Sequence, residues 1–399
     1  MVIPCYRESP DFLQRVSSPP DGRSLLLICV LNRPAHDPDS LANQELRELL
    51  AGQRRTELAG HYALHAATNA PGVNLLSLDL EGLEGPTPSD QGVGRARRLG
   101  FDLALWLIQS GHVGSDWILS CDADSQWSEQ HLREDWPTSA GATCLPFCHR
   151  VDPETPVGRA TLLYELRLHH YVLGLTFANS PYAYHTLGSS IAVRNSAYAA
   201  VRGMPLRSGG EDFYLLSKLA KIAPVHRASG ATVRIDARPS DRVPFGTGPA
   251  VRRLLQATDP LAAPLFYHPR CFSLLRGVLS GFTDWATAGA GDWRDHLRGT
   301  LDPAYFTTVS GILEGMDVDK ALAHAQRHGN DRRSRLTHWQ VWFDGFRTLK
   351  FVHAVRDTGF PDMDFRSSLA MCPLWPENHR ADPLLLREVL LQHWGWQTD

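Results

Sequence analysis

Over roughly the first 250 residues, short apolar runs alternate with segments whose apolar residues recur at helical spacing. Met1 to Cys5 reads as a short strand, Ser24 to Leu31 (SLLLICVL) as a buried second strand, and Val73 to Leu80 as a third. Gln44 to Gly60, rich in Leu, Glu and Arg, reads as a helix. Gly92 to Gly111 reads as a turn and a helix, with Leu99, Leu103, Trp106 and Leu107 on one face and the pair Arg98 and Asp102 on the other. Trp117 to Cys121 reads as a strand, Gly158 to Leu175 as a helix, Gly188 to Val193 as a strand and Glu211 to Lys221 as a helix. This alternation predicts an α/β fold, a mostly parallel nucleotide-binding sheet flanked by helices.

The pattern changes after Asp236 to Gly248, a stretch dense in Pro, Gly and Arg. Beyond it the chain reads as wholly helical. We therefore expect one domain over 1–250 and a helical region over 251–399, serving acceptor binding, oligomerisation or contact with a membrane surface. Its clearest helix is Arg335 to Val355, where Leu336, Trp339, Trp342, Phe343, Phe346 and Leu349 form an aromatic stripe. Such a stripe is most often core; a pocket or a dimer surface is the rarer use.

Composition narrows the class of protein. The 399 residues are 43% hydrophobic and 21% charged, which suits a globular chain rather than a disordered one. A formal net charge of −3 gives no support for a nucleic-acid partner. Seven cysteines, odd in number and sparse, read as reduced thiols of a cytosolic protein. No apolar run is long enough to span a bilayer, and the first ten residues do not read as a secretory signal.

Four motifs carry chemistry. In Trp117-Ile-Leu-Ser-Cys-Asp-Ala-Asp-Ser125, Asp122 and Asp124 follow a buried run and are two residues apart, so in an extended chain they face one site. Two hard oxygen donors at a strand's carboxyl end suit a divalent cation that also holds phosphates; the alternative is a plain acidic turn. In Gly209-Gly-Glu-Asp-Phe213, Glu211 and Asp212 open a helix, where acids either cap it or serve as a general base. Gly92-Val-Gly-Arg-Ala-Arg-Arg-Leu-Gly100 places glycines and arginines at a helix start, suited to an anion or to a solvated basic end. Arg238-Pro-Ser-Asp-Arg-Val-Pro-Phe-Gly-Thr-Gly248 offers Arg238 and Arg242 as a clamp for a leaving diphosphate, or is an interdomain linker. Cys144, Cys148 and His149, and the pairs His61/His65 and His324/His328, lack the partners that a metal site needs.

Taken in order, Val-Ile-Pro-Cys-Tyr-Arg-Glu8, the Gly92–Gly100 segment, Asp122-Ala-Asp124 and the stretch from Gly188-Ser-Ser-Ile-Ala-Val-Arg194 to Glu211-Asp212 resemble the family-2-type glycosyltransferases of GT-A fold. The resemblance covers residues 1 to about 250 and implies an inverting transfer of sugar from a nucleotide-diphospho-sugar to an acceptor hydroxyl. By that analogy Asp124 and Asp122 would hold Mn²⁺ or Mg²⁺, with Asp122 also contacting the donor. Pro4, Tyr6, Glu8, Asn32, Arg95 and Arg242 would contact the nucleotide. Tyr184, His185, Gly188 and Gly210 would line the acceptor side, with Asp212 as the base and Glu211 beside it. The acceptor would be a glycan, a lipid-linked sugar or a small molecule, with the helical region open to homo-oligomer formation and the protein cytoplasmic or peripheral at a membrane. The second strand departs from the family's acidic ending, since Leu31 is followed by Asn32-Arg-Pro. Two other classes fit less well. A nucleotidyltransferase would carry glycines after the first strand, and a non-catalytic scaffold would not need four acids in these positions.

Overall fold

The computed structural model describes residues 1–20, 22–53, 55–59, 62–65, 70–239, 246–288, 291–376 and 382–397. It divides into two units, one of Met1–Leu162, Thr186–Arg253 and Leu391–Asp399, the other of Leu163–His185 and Leu254–Leu390. Both the residues 163–185 and the last nine thus fall outside a simple division at residue 250.

The first unit is built on a nine-stranded sheet. Its centre is parallel, in the order Trp117–Ser120, Val2–Cys5, Leu25–Leu31, Val73–Asp79. These strands read as continuous apolar runs because both of their faces are covered, as a central parallel strand requires. The flanks are not parallel throughout. Ile191–Arg194 runs antiparallel between Trp117–Ser120 and Ala142–Cys144, and Tyr62–His65 runs antiparallel between Val73–Asp79 and Arg55–Ala59. Val225–Arg227 completes one edge, parallel to Ala142–Cys144. A three-stranded sheet joins Ser125–Gln126, Val233–Asp236 and Phe147–Arg150 beside the main one.

Several expected boundaries shift. The helix expected over 44–60 is Gln44–Gly52, and Arg55–Ala59 is a strand instead. Helix-forming residues there yield to pairing with Tyr62–His65, a tertiary effect that propensity does not contain. Helix Gly92–Gln109 buries Ala96, Arg97, Gly100, Phe101 and Ala104, not the leucine face. A Cβ on Gly100 would lie 2.3 Å from Val2 Cγ1, so the small-residue side is the one that can approach the sheet. Trp106 is left 57% exposed.

The second unit is mainly helical. Phe272, Phe282, Trp285, Trp339, Phe343 and Phe351 are all buried in its core, and the Phe282 and Trp339 rings stack with centroids 3.6 Å apart. Of the stripe over 335–355, Trp339 and Phe343 are core, Leu336 and Trp342 pack against it, and Phe346 and Leu349 are half-buried; the segment is not one helix but two, Arg332–Trp342 and Gly345–Asp357. Asp344 breaks it by accepting from Arg347 N as the N-cap of the second helix, an end that an apolar pattern does not reveal. The region beyond 250 is not wholly helical either: Trp396–Gln397 pairs with Gly230–Ala231 within the first unit, and Phe266 bridges Met363 within the second. Among the described residues no helix is long and apolar enough to cross a membrane.

Candidate active site

Arg97 is the hub of the site, and the sequence does not single it out from Arg95 and Arg98. Its side chain is 4% exposed. Nη2 donates to Asp122 Oδ1 at 2.5 Å, Nε to Glu211 Oε1 at 2.8 Å, and Nη1 to Ser120 Oγ at 2.7 Å and Gly188 O at 3.1 Å. Ser120 Oγ itself donates to Gly188 O at 2.6 Å. One buried cation therefore gathers the end of strand Trp117–Ser120, the loop before Ile191–Arg194 and the start of helix Glu211–Leu219. A signal was available: an arginine on the small-residue face of an otherwise sheet-packed helix must find buried acids.

The acids around Arg97 are perturbed. Burial and the neighbouring Asp212 push the Glu211 carboxyl up to about 7. Burial also raises Asp212, against the opposing effects of Phe213 N–H and Arg97. Burial disfavours the charge of Arg97, but Asp122, Glu211 and Asp212 outweigh it and hold the guanidinium protonated. Glu211 is anchored and 3% exposed, whereas Asp212 is half-buried, with Oδ1 accepting from Phe213 N at 2.7 Å. Gly210 precedes them at φ +67°, a left-handed conformation that turns the chain into the helix.

A second cluster lies around Asp124. Its Oδ2 accepts from Arg238 Nε at 3.0 Å, and the same guanidinium donates through Nη1 and Nη2 to both oxygens of Glu8 at 2.9 and 2.7 Å. Asp236 N donates to Asp124 O at 2.8 Å, and the Asp236 carboxylate is held by Arg15 and by Arg150 Nη1 at 3.1 Å. Arg15 also donates to Ala123 O at 3.0 Å. Glu8 and Asp124, brought from different strand ends, thus both bond the Arg238 guanidinium. Among the described residues no three His, Cys, Asp or Glu side chains are arranged as a metal's ligands.

The other expected residues do not all join these clusters. Pro4 lies within the Val2–Cys5 strand. Tyr6 OH donates to Asp37 Oδ2 at 2.6 Å, and Arg7, at φ +55°, also holds Asp37. Asn32 follows the second strand with its N–H on Cys5 O and its C=O accepting from Asn43 Nδ2 at 2.9 Å; its buried Oδ1 has no partner among the described residues. Arg95 pairs with Glu84 rather than turning toward Asp122, the place Arg97 takes. Arg242 lies outside the described residues. Tyr184 and His185 belong to the second unit, where both are buried and His185 Nε2 sits 3.1 Å from His169 Nδ1. Gly188 packs on Arg97: an added Cβ would lie 2.8 Å from Nη2 and 3.4 Å from Asp212 Oδ2.

The glycines at 92 and 94 meet the chain itself. Gly94 N donates to Arg207 O at 3.0 Å, and a Cβ there would sit 2.5 Å from the same oxygen and 2.8 Å from Pro205 O. They seat the helix that carries Arg97 against the loop that leads to Glu211.

No protein-family model and no curated protein sequence matches the chain. Among solved structures it is similar to the mannosyltransferase PcManGT from Pyrobaculum calidifontis, determined in complex with GDP-Man and Mn²⁺, with a TM-score of 0.35 and 14% identity over 90% of this chain and 86% of that one. A likeness of this size assigns neither a family nor an activity.

Proposed function

We propose that the first unit is a glycosyltransferase of GT-A type that moves a sugar from a nucleotide-diphospho-sugar to an acceptor hydroxyl with inversion. The observation that carries this reading is the shared guanidinium of Arg97, which ties Asp122 on one side to Glu211 on the other at the carboxyl end of the central strands. A donor half and an acceptor half joined by one buried cation suit a displacement in which both halves must keep register.

In this reading Asp212 is the base. It is more exposed than Glu211, and its raised pKa brings it closer to the acceptor hydroxyl whose proton it takes as that oxygen attacks. Glu211 is a positioning residue, held by Arg97 and setting the helix start on which Asp212 sits. Gly188, without a side chain, lets the Arg97 guanidinium lie against it beside Asp212. Asn32 Oδ1, buried and without a partner among the described residues, is an acceptor suited to a base N–H. Gly210 remains a candidate for the acceptor side, while Arg95 and Arg242 remain candidates for the diphosphate.

The donor chemistry fits Mn²⁺ or Mg²⁺. Asp122 and Asp124 supply hard oxygens, and Glu8 and Asp124 both pair with the cationic Arg238. Such an ion, when bound, would offset the negative charge that develops on the departing diphosphate.

The test is thermal stabilisation of the full chain by UDP-, GDP- and CMP-sugars with and without Mn²⁺, for the wild type and Asp124→Ala. One nucleotide class should stabilise the wild type in a metal-dependent manner, and the variant should lose that response. Equal shifts in both proteins would remove Asp124 from the metal site. No shift with any nucleotide would instead favour a non-catalytic binding protein.

A further inference from the structure

The guanidinium of Arg238 stands between two carboxylates that are both more buried than it is. Its side chain is 33% exposed, against 8% for Glu8 and 18% for Asp124. Burial disfavours its charge, but Glu8 and Asp124 outweigh this and keep it protonated. The backbone beneath it is pinned: Val233–Asp236 is a strand, and Asp236 N bonds Asp124 O at 2.8 Å. Pro239 follows immediately, and its ring biases Arg238 toward extended backbone. The chain is thus held two residues before Arg238, and one-third exposure leaves its side chain a path outward.

Arg238 Nη2 lies 2.9 Å from Asp124 Oδ2, so a divalent cation on that oxygen and this guanidinium would sit in contact with like charge. Both cannot hold it. We propose that Arg238 is the exchangeable cation of this site: it neutralises Glu8 and Asp124 in the ligand-free protein, leaves them when a divalent cation binds, and turns its fork to the diphosphate that arrives with that cation. The planar guanidinium fork matches a carboxylate and a phosphate equally well, which an ammonium does not. The inference rests on the glycosyltransferase reading. It makes metal and nucleotide binding cooperative, because a metal arriving alone must expel an arginine that has no new anion to meet.

The experiment is Mn²⁺ binding to the full chain by electron paramagnetic resonance, alone and with saturating UDP or GDP, for wild type, Arg238→Gln and Asp124→Asn. The wild type should bind Mn²⁺ about 10-fold or more tightly when one of the nucleotides is present, a coupling of ordinary size. Arg238→Gln should bind Mn²⁺ alone about 10-fold more tightly than the wild type and gain less from the nucleotide. An unchanged Mn²⁺ affinity in Arg238→Gln, with binding lost in Asp124→Asn, would overturn the exchange and leave the metal site standing. No Mn²⁺ binding to the wild type under any condition would overturn both. Should Arg238→Gln fail to fold, the Nε–H nuclear magnetic resonance signal of Arg238 in the wild type decides: it should shift on adding Mg²⁺ with the nucleotide, and an unmoved signal would overturn the exchange.

Discussion

Arg97 Nε donates to Glu211 Oε1 at 2.8 Å across 114 residues of chain, and both side chains are 4% exposed. Removing one partner of a buried pair leaves the other charge without compensation, which costs about 3–5 kcal/mol. Arg97→Met should destabilise the first unit by that amount in urea denaturation. Arg97→Met combined with Glu211→Gln should recover part of the loss; a double variant as unstable as the sum of the singles would show that the two do not act as a pair.

The raised carboxyl of Glu211 has a signed consequence for stability. Its folded value, about 7, lies above its ordinary 4.5, so between these the folded protein binds more protons than the unfolded chain. Stability contributed by this group is present at low pH and lost as pH rises through about 7. Glu211→Gln should flatten the decline between pH 4.5 and about 7, measured by urea denaturation at each pH. Parallel pH profiles for the two proteins would count against the shift.

Asp212→Asn removes the proposed base but keeps the shape of the side chain. Turnover should fall about 10²–10⁴-fold, the range for a lost general base. Thermal stabilisation by the donor nucleotide with Mn²⁺ should persist, because Asp212 belongs to the acceptor half. Full activity in this variant would remove it from the chemistry.

Gly188→Ala tests the packing between the halves. The added Cβ would meet Arg97 Nη2 at 2.8 Å, and that side chain is locked by its bonds to Asp122, Glu211 and Ser120. Overpacking of this kind costs about 1–3 kcal/mol. Activity should fall further than stability does, since the displaced guanidinium carries Asp122 with it. Wild-type turnover and stability would mean that Arg97 can yield without cost.

Gly94→Ala tests a different contact. Its Cβ would meet backbone atoms of Arg207 and Pro205 rather than a movable side-chain tip. We expect a loss of stability in the same range of about 1–3 kcal/mol, read from the urea midpoint. An unchanged midpoint would show that the 205–208 loop can move away from the helix.

Much of this site was legible from local pattern. A buried run followed by Asp122-Ala-Asp124, and a Gly-Gly turn before Glu211-Asp212, identify strand ends and helix starts because burial and backbone conformation are local demands. The central strands could be read for the same reason. Which arginine serves which acid could not. Arg95, Arg97 and Arg98 are alike in sequence, and the packing of the Gly94, Ala96, Gly100 and Ala104 face places Arg97 inward while Arg95 meets Glu84. Arg238 reaches Glu8 over 230 residues, a pairing set by the register of Val233–Asp236 beside Phe147–Arg150. The antiparallel flanks and the return of Trp396–Gln397 were hidden likewise, since strand pairing depends on partners distant in the chain. Local pattern dictates which residues can be buried and where the chain can turn. Folding selects which charges meet, because ion pairing in a low-dielectric interior depends on distances that exist only once remote segments have come together.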